Sequence, residues 1–329
     1  MNKKPNIAVI GATGLVGSTI LKVMEELDFP FEKCYLFSSK RSEGTKVTFF
    51  NKEYRVEELT EDSFNYPIDI ALFAAGGATS LKYAKQAASK GILVIDNSSA
   101  FRMDKDVPLV VPEVNKEAAF TNKGIIANPN CSTIQAVAAL KPLNDKYGIK
   151  RIVYSTYQAV SGSGLKGIKA LQGGISGNNE KSCYPHPIFN NCIPHIDDFT
   201  ENGYTKEELK MINETRKILG DETLKITATT VRVPVFDCHS EALNVELLED
   251  FDLEDVKALY KEAQGIKLVD DVENNLYPLP LTAKGTDLVY VGRIRRDFSQ
   301  ENTLNLWVVA DNIRKGAATN AVQIAQLFV

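Results

Sequence analysis

Ile7-Ala-Val-Ile10 runs straight into Gly11-Ala-Thr-Gly14-Leu-Val-Gly17, and a helix-forming stretch, Ser18–Leu27, follows. Four consecutive apolar β-formers bounded by glycine read as a buried strand. Glycines let the backbone turn tightly and approach a ligand closely, and the unpaired N–H groups at the next helix start favour an anion. Strand, glycine turn and helix in that order form a cradle for a dinucleotide pyrophosphate. A glycine turn that only packs helix on sheet is the alternative.

Outward from this motif, Cys34–Ser38, Ile70–Ala74, Ile92–Ile95, Leu109–Val111 and Gly124–Ala127 read as further short strands. Helical stretches separate several of them, among them Thr79–Lys90, with Thr79 as N-cap and Gly91 as C-cap. Alternation of this kind implies βαβ units and a mostly parallel sheet. The texture changes near residue 130. Arg151–Ala159, Leu224–Val235, Ser240–Leu248, Thr286–Arg296 and Thr303–Ala310 are long β-branched runs, interrupted by helices at Thr205–Leu219 and Leu253–Ala263. The expected architecture is α/β: a Rossmann-type dinucleotide-binding domain over 1–130, then an α+β domain with a mixed sheet over 131–311. An amphipathic helix, Gly316–Phe328, would close the chain, with 312–329 completing the first domain.

Composition bounds the function. The 329 residues carry 38 Lys plus Arg against 42 Asp plus Glu, a net charge of -4, with 44% hydrophobic residues. That profile is globular. Slight acidity argues against a nucleic-acid or anionic-membrane surface. No apolar run reaches the ~18 residues of a membrane span. The opening residues, Met1–Asn6, lead into too short an apolar run for a signal peptide. Five cysteines are too few and odd in number for a disulfide framework, so a reducing, cytoplasmic setting is expected.

The end of the second strand discriminates between dinucleotides. An NAD site would place an acid there for the ribose hydroxyls. The chain reads Phe37-Ser-Ser-Lys-Arg41-Ser42, cations beside hydroxyls, which suits the 2′-phosphate of NADP. Glu43 is the nearest acid, and a polar surface turn is the plainer reading. A second glycine turn, Ala75-Gly-Gly-Ala-Thr79, could line the far side of the same cleft.

Asn128-Pro-Asn-Cys131-Ser-Thr133 precedes an apolar helical run, Ile134–Leu140, and Ser132 and Gln135 have capping-box spacing. Cys131 would then stand at a helix N-terminus, where the dipole favours the reactive thiolate. The default for Cys34, Cys183, Cys192 and Cys238 is a buried small hydrophobe. A thiolate beside a nicotinamide attacks an aldehyde, and the thioester left after hydride departure is opened by a second nucleophile. Such chemistry needs an acid/base, and His186, His195 and His239 are the candidates. His239 lies seven residues after Arg232, so a turn around Phe236–Cys238 must re-aim one of them.

With these blocks in hand, the chain resembles bacterial aspartate-semialdehyde dehydrogenases along essentially its whole length. The resemblance is carried by Gly11-Ala-Thr-Gly-x-x-Gly17, Ser39-x-Arg41-Ser42-x-Gly44, Asn128–Thr133, Gln158-Ala-Val-Ser-Gly162, Arg232-Val-Pro-Val-x-x-x-His239 and Asp311-Asn-x-Arg-Lys-Gly-Ala-Ala318. It implies Cys131 as the acyl-thioester nucleophile and His239 as acid/base. It implies Arg232 for the substrate carboxylate, Gln158 for substrate placement, Glu214 for the α-ammonium, and Arg102 and Lys217 for the phosphoryl group. For NADP it implies Gly11, Thr13, Gly14, Leu15, Val16, Arg41, Ser42, Ser161, Gly162 and Asn312. The implied reaction is reversible reduction of 4-phospho-L-aspartate to L-aspartate 4-semialdehyde and phosphate. That reaction feeds lysine, methionine, threonine and isoleucine biosynthesis. The implied assembly is a homodimer or homotetramer with its interface largely in the second domain. On spacing alone Glu214 and Lys217, i and i+3, read as a solvated helix pair.

Three other readings compete. N-acetyl-γ-glutamyl-phosphate reductase shares the fold and the thiolate, but its cysteine motif usually has glycine where Asn130 stands. A non-catalytic NADP-binding sensor would need neither Cys131 nor His239. Cys183-x-x-His186 and Cys192-x-x-His195 mimic a zinc pattern, yet proline inside each pair and the short gap leave little loop to wrap a tetrahedron, so no metal is expected.

Overall fold

In the computed structural model, residues 4–178 and 182–329 are described; the first three residues of the chain start lie outside that range. The chain folds as two compact units, Met1–Asn130 with Ala317–Val329, and Cys131–Gly316. Asn312–Gly316 therefore fall with the second unit.

The first unit runs β1 (Ile7–Ile10), α1 (Leu15–Glu26), β2 (Cys34–Ser38), β3 (Lys46–Phe49), β4 (Lys52–Arg55), β5 (Glu57–Glu58), β6 (Ile70–Phe73), α2 (Gly77–Ser89), β7 (Leu93–Asp96), α3 (Pro112–Asn115) and β8 (Ile125–Ala127). Six strands form one sheet in the order β5-β2-β1-β6-β7-β8, and every pair is parallel. Each β1 residue is fully buried, as a central strand covered on both faces requires. The chain leaves β1 for β2 on one side and reaches β6 on the other, so the strand order reverses beside the end of β1. Ligands of open α/β sheets bind at that switch point, and the Gly11 turn stands there.

The glycines are there for contact. Gly11 has φ +88°, and a Cβ on it would lie 2.8 Å from the Ala74 carbonyl oxygen. A Cβ on Gly17 would lie 2.1 Å from the Gly11 carbonyl oxygen, so glycine lets α1 close onto the turn. With Gly14 as its cap, α1 starts three residues earlier than the sequence pattern suggests and takes Leu15 and Val16 into its first turn. α2 likewise starts before Thr79, capped by Gly76 at φ +84°; the positive φ turns the chain directly out of β6. Leu109–Val111 is not a strand. It makes one bridge, Leu109 to Ala127, because the Asn115 side chain takes the Val111 N–H and the Leu109 carbonyl that a ladder would need.

The second unit runs α4 (Cys131–Tyr147), β9 (Ile149–Gln158), α5 (Gly164–Ile175), α6 (Lys206–Leu219), β10 (Lys225–Arg232), β11 (His239–Leu247), α7 (Leu253–Glu262), β12 (Ile266–Leu268), α8 (Pro280–Ala283), β13 (Val289–Arg296) and β14 (Thr303–Ala310). The sheet order is β10-β9-β11-β14-β13-β12. β9 with β10 and β12 with β13 are parallel and the other pairs antiparallel, a mixed sheet. Ile152 and Tyr154 of β9, Leu243 and Val245 of β11, and Leu304 and Leu306 of β14 share one core with Ala136, Leu140 and Leu143 of α4 and Met211 of α6. α6 opens with a reciprocal Thr205–Glu208 capping box and ends at Gly220 in the left-handed region.

The closing segment differs from the single helix expected over Gly316–Phe328. A wide π-helical turn spans Arg314–Thr319, and α9 (Asn320–Gln326) follows. Ala318, Ala321, Val322 and Ile324 enter the core that holds Ile7 and Ile20, and Asn320 donates to the Asn128 side chain at 2.7 Å.

Replacing Gly17 with Ala is expected to lower stability by about 2 kcal/mol, read as a shifted urea midpoint at unchanged slope. An unshifted midpoint would mean that the α1–turn approach is not tight.

Candidate active site

A cleft of about 560 Å³ opens at the switch point of the first unit, lined by Gly11, Thr13, Gly14, Ser38, Arg41, Ser42, Ala74, Ala75 and Thr79, among others. Thr13 Oγ1 lies 2.9 Å from Ser38 Oγ and donates to Ser42 Oγ at 3.1 Å, tying the glycine turn to the end of β2. Lys40 bridges Glu43 at 2.7 Å and Glu58 at 3.2 Å, so the nearest acids face a cation. Arg41 lines the cleft and is exposed. Elsewhere in this unit Arg102 is buried and donates to the main-chain carbonyls of Asn128 and Asn97, both at 2.9 Å.

In the second unit Cys131 is the first residue of α4. Its Sγ lies 3.2 Å from Nε2 of His239, which is fully buried. The Ala159 N–H donates to Nδ1 of the same ring at 3.0 Å. With Nδ1 accepting, the neutral imidazole carries its hydrogen on Nε2, directed at the sulfur. Burial holds the imidazole well below its ordinary value, and the nearby Arg232 guanidinium lowers it further. The thiol thus faces a neutral hydrogen-bond donor.

The capping box expected from Ser132 and Gln135 does not form. The helix begins at Cys131 itself, Ser132 is buried within the first turn, and Gln135 donates from Nε2 to the His239 carbonyl at 3.3 Å. Residues 131 and 135 stand one turn apart on one helix face. The same helix therefore meets His239 at its ring and at its main chain.

Arg232 ends β10 and His239 starts β11. The turn expected between them is present, with Cys238 at φ +69°. Asn312 Oδ1 accepts the Cys238 N–H at 3.0 Å, and its carboxamide also meets the Ser161 hydroxyl at 3.0 Å. Asn312 and Ser161 therefore brace the turn that aims His239. Arg232 Nη1 donates to the Ala159 carbonyl, its Nε is buried without a partner, and its guanidinium sits 5.9 Å from the Tyr184 ring centre. A Cβ on Gly162 would lie 3.0 Å from Arg232 Nη1 and 3.2 Å from His239 Cε1. One on Gly316 would lie 2.9 Å from Cys131 Cβ. Both glycines keep room around the reactive groups.

Gln158, at the end of β9, donates from Nε2 to Glu207 at 3.1 Å. Glu214 is 1% exposed on α6, so the solvated-pair reading fails for it, while Lys217 is half-buried. Of the cysteines expected to be buried, Cys34 and Cys238 are, but Cys183 and Cys192 are exposed, since neither lies in a helix or strand packed on the core. Burial pushes the Cys34 and Cys238 thiols up. His195 stacks on Phe199. Among the described residues no cluster of three or more His, Cys, Asp or Glu could hold a metal, and no helix is long and apolar enough to cross a membrane. Sequence reasoning missed Gln135, Tyr184 and the Ala159 N–H; Gln135's place one turn after Cys131 was the only signal.

Comparison with known proteins converges on one group. The semialdehyde dehydrogenase NAD-binding domain profile matches residues 6–121, and the semialdehyde dehydrogenase dimerisation domain profile matches 140–315. The chain is 55% identical to the aspartate-semialdehyde dehydrogenase of Aquifex aeolicus over 98% of its own length and 97% of that protein. Its fold matches the crystal structure of aspartate-semialdehyde dehydrogenase II from Vibrio cholerae complexed with ASA, with TM-score 0.96 and 48% identity over 99% of this chain and 98% of that one. It also matches aspartate-semialdehyde dehydrogenase with NADP from Candida albicans, with TM-score 0.78 and 27% identity over 99% and 98% of the two chains.

Histidine-labelled NMR is expected to show His239 still neutral, with hydrogen on Nε2, at the pH where an ordinary histidine is half protonated. In Arg232→Leu the midpoint rises, because one of the two influences that lower it is gone. A wild-type midpoint at or above the ordinary 6.5 would contradict the burial argument.

Proposed function

We infer that this chain, which belongs to the aspartate-semialdehyde dehydrogenase family, catalyses the reversible, nicotinamide-nucleotide-dependent reduction of 4-phospho-L-aspartate to L-aspartate 4-semialdehyde and phosphate, a step of amino-acid biosynthesis. The observation that carries this reading is the 3.2 Å approach of Cys131 Sγ and His239 Nε2 at a helix start, beside a buried arginine. The two rival readings find no such support. The relatives that match over full length are aspartate-semialdehyde dehydrogenases, and a sensor has no use for a thiol aimed at an imidazole.

In the reducing direction, Cys131 reacts as its thiolate: sulfur bonds to the acyl carbon, and the bond from that carbon to the phosphoryl oxygen breaks to release phosphate. The thioester so formed accepts hydride, and the oxyanion collapses to aldehyde and free thiolate. His239 Nε2–H holds the carbonyl oxygen as charge develops, and it costs no imidazolium to do so. Arg232 takes the substrate carboxylate through its guanidinium edge. Gln158 places the substrate against the sulfur, Glu214 receives the α-ammonium, and Arg102 and Lys217 receive the phosphoryl oxygens.

The glycine cradle fits a dinucleotide: it presents backbone N–H groups, and a Cβ at Gly14 would press on the Gly11 carbonyl oxygen at 3.3 Å. The bound nucleotide supplies or accepts the hydride. Gly11, Thr13, Gly14, Leu15 and Val16 would hold its pyrophosphate, and Ser161, Gly162 and Asn312 would contact the nucleotide, Asn312 near the nicotinamide. We assign NADP rather than NAD, since Arg41 and Ser42 line the cleft and Glu43 is tied to Lys40. The assembly we propose is a homodimer or homotetramer formed through the second unit, where Tyr157, 40% exposed, stands beside Trp307 on the sheet face opposite α4. Five free cysteines suit a reducing compartment, and the cytoplasm is the proposed location.

The direct test is reduction of NADP by L-aspartate 4-semialdehyde with phosphate or arsenate; no reduction would remove the assignment. Cys131→Ala is expected to abolish turnover while NADP affinity stays nearly unchanged, with retained turnover excluding the thioester. Arg41→Ala is expected to weaken NADP roughly tenfold more than NAD, measured as paired dissociation constants. Equal losses would place the 2′-phosphate elsewhere.

A further inference from the structure

Glu241 has no part in the chemistry above, yet it lies against it. It is two residues along β11 from His239, on the same face of the strand, opposite Thr156 of β9 and Val308 of β14. It is fully buried, and neither carboxyl oxygen has a hydrogen-bond partner. No ion pair to it exists among the described residues. Gln135 of α4 is also fully buried and packs beside this carboxyl. Its Nε2 is engaged with the His239 carbonyl, and its Oε1 is the other orphan acceptor at this point. The three unpartnered oxygens of this pair, two on Glu241 and Oε1 on Gln135, can only accept if the acid is ionised.

We propose that Glu241 is a neutral carboxylic acid whose hydroxyl donates to Oε1 of Gln135, and that this pair is a positioning device for His239. The hydrogen-bond chain then runs from the Glu241 hydroxyl to Gln135 Oε1, and from Gln135 Nε2 to the His239 carbonyl. An ionised Glu241 would be a buried charge that no cation among the described residues faces, and it would leave Oε1 of Gln135 without a donor. The protonated acid removes that charge and supplies Oε1 with a hydrogen, while Nε2 keeps the His239 carbonyl.

The surroundings agree. The titratable groups facing Glu241 are Glu207 from α6, Tyr154 from β9 and His239 on its own strand. The cation of this layer, Lys210, bonds Glu207 at 3.3 Å and Asp197 at 2.7 Å. Burial raises the Glu241 carboxyl well above the usual carboxylate range, the Glu207 carboxylate adds to the rise, and the Gln135 amide opposes it least. Tyr154 is itself pushed up and bonds Thr215, so it stays neutral.

The positioning role rests on the dehydrogenase reading, but the proton does not, and the experiment separates them. Infrared difference spectra of the full chain, wild type minus Glu241→Gln, are taken without substrate or nucleotide. A carboxylic-acid C=O stretch is expected that persists above the pH at which ordinary carboxylates ionise and shifts in heavy water. A carboxylate stretch in its place overturns the proposal. Glu241→Gln keeps an N–H for Gln135, so kcat, its pH profile and the alkylation rate of Cys131 should stay within about twofold of wild type. Glu241→Leu removes the donor, and both rates should fall about tenfold with KM little changed. Equal losses in the two variants, or a shifted pH profile in Glu241→Gln, also overturn it, since charge rather than a hydrogen would then matter. If Glu241→Leu does not fold, the infrared band decides. The spectra and the alkylation need no substrate, so an inactive protein would sink the dehydrogenase reading and leave this one to be judged on its own.

Discussion

Both main-chain polar groups of Ala159 are engaged by side chains of the site. Its N–H donates to His239 Nδ1 at 3.0 Å, and its carbonyl accepts from Arg232. One peptide position therefore sets the tautomer of the histidine and the aim of the arginine. Main-chain groups at the end of a paired strand cannot drift as side chains do, which makes this a rigid reference for both. The rest of the second unit is arranged around that reference. β9 leads directly into Ala159, β10 ends at Arg232, β11 begins at His239, and α4 brings Cys131 to the imidazole.

Electrostatics follows from the same arrangement. A cation beside a fully buried imidazole keeps the ring neutral, and a ring already accepting at Nδ1 has nowhere to hold a second hydrogen. The site thus gives the sulfur and the developing oxyanion a hydrogen bond rather than an ion pair. A neutral ring leaves Arg232 as the charge beside it. Gly162 and Gly316 preserve this geometry by what they lack, since a Cβ at either would press on a reactive group.

Much of the fold was legible because its signals are local. Ile7–Ile10 and Thr303–Ala310 have the bounds read from their patterns, since a run of buried β-formers and a clean alternation leave little ambiguity. The β3–β4 hairpin was not legible: its two-residue turn, Phe50 and Asn51, holds both at positive φ, and phenylalanine is a poor advertisement for that conformation. α5 was hidden by its glycines. Gly167 is needed where a Cβ would meet the Val160 carbonyl oxygen at 2.2 Å, a contact no helix propensity reveals. At the site, Cys131 announced itself through the helix it starts. Gln135, Ala159 and Glu241 did not, because a main-chain N–H has no residue type and a buried acid in a strand looks like any polar member of an alternation.

Residue order alone determined the parallel nucleotide-binding sheet, the glycine cradle at its first turn and a cysteine at a helix start, since each depends on neighbours within a few positions. Only the tertiary structure decided which of three histidines meets that cysteine. The contact joins residues 108 positions apart and depends on a left-handed Cys238, on the Asn312 carboxamide that holds it and on a main-chain donor from the residue that follows β9. Hydrogen bonds of that kind are specified by packing many elements together, and a one-dimensional pattern carries no record of them.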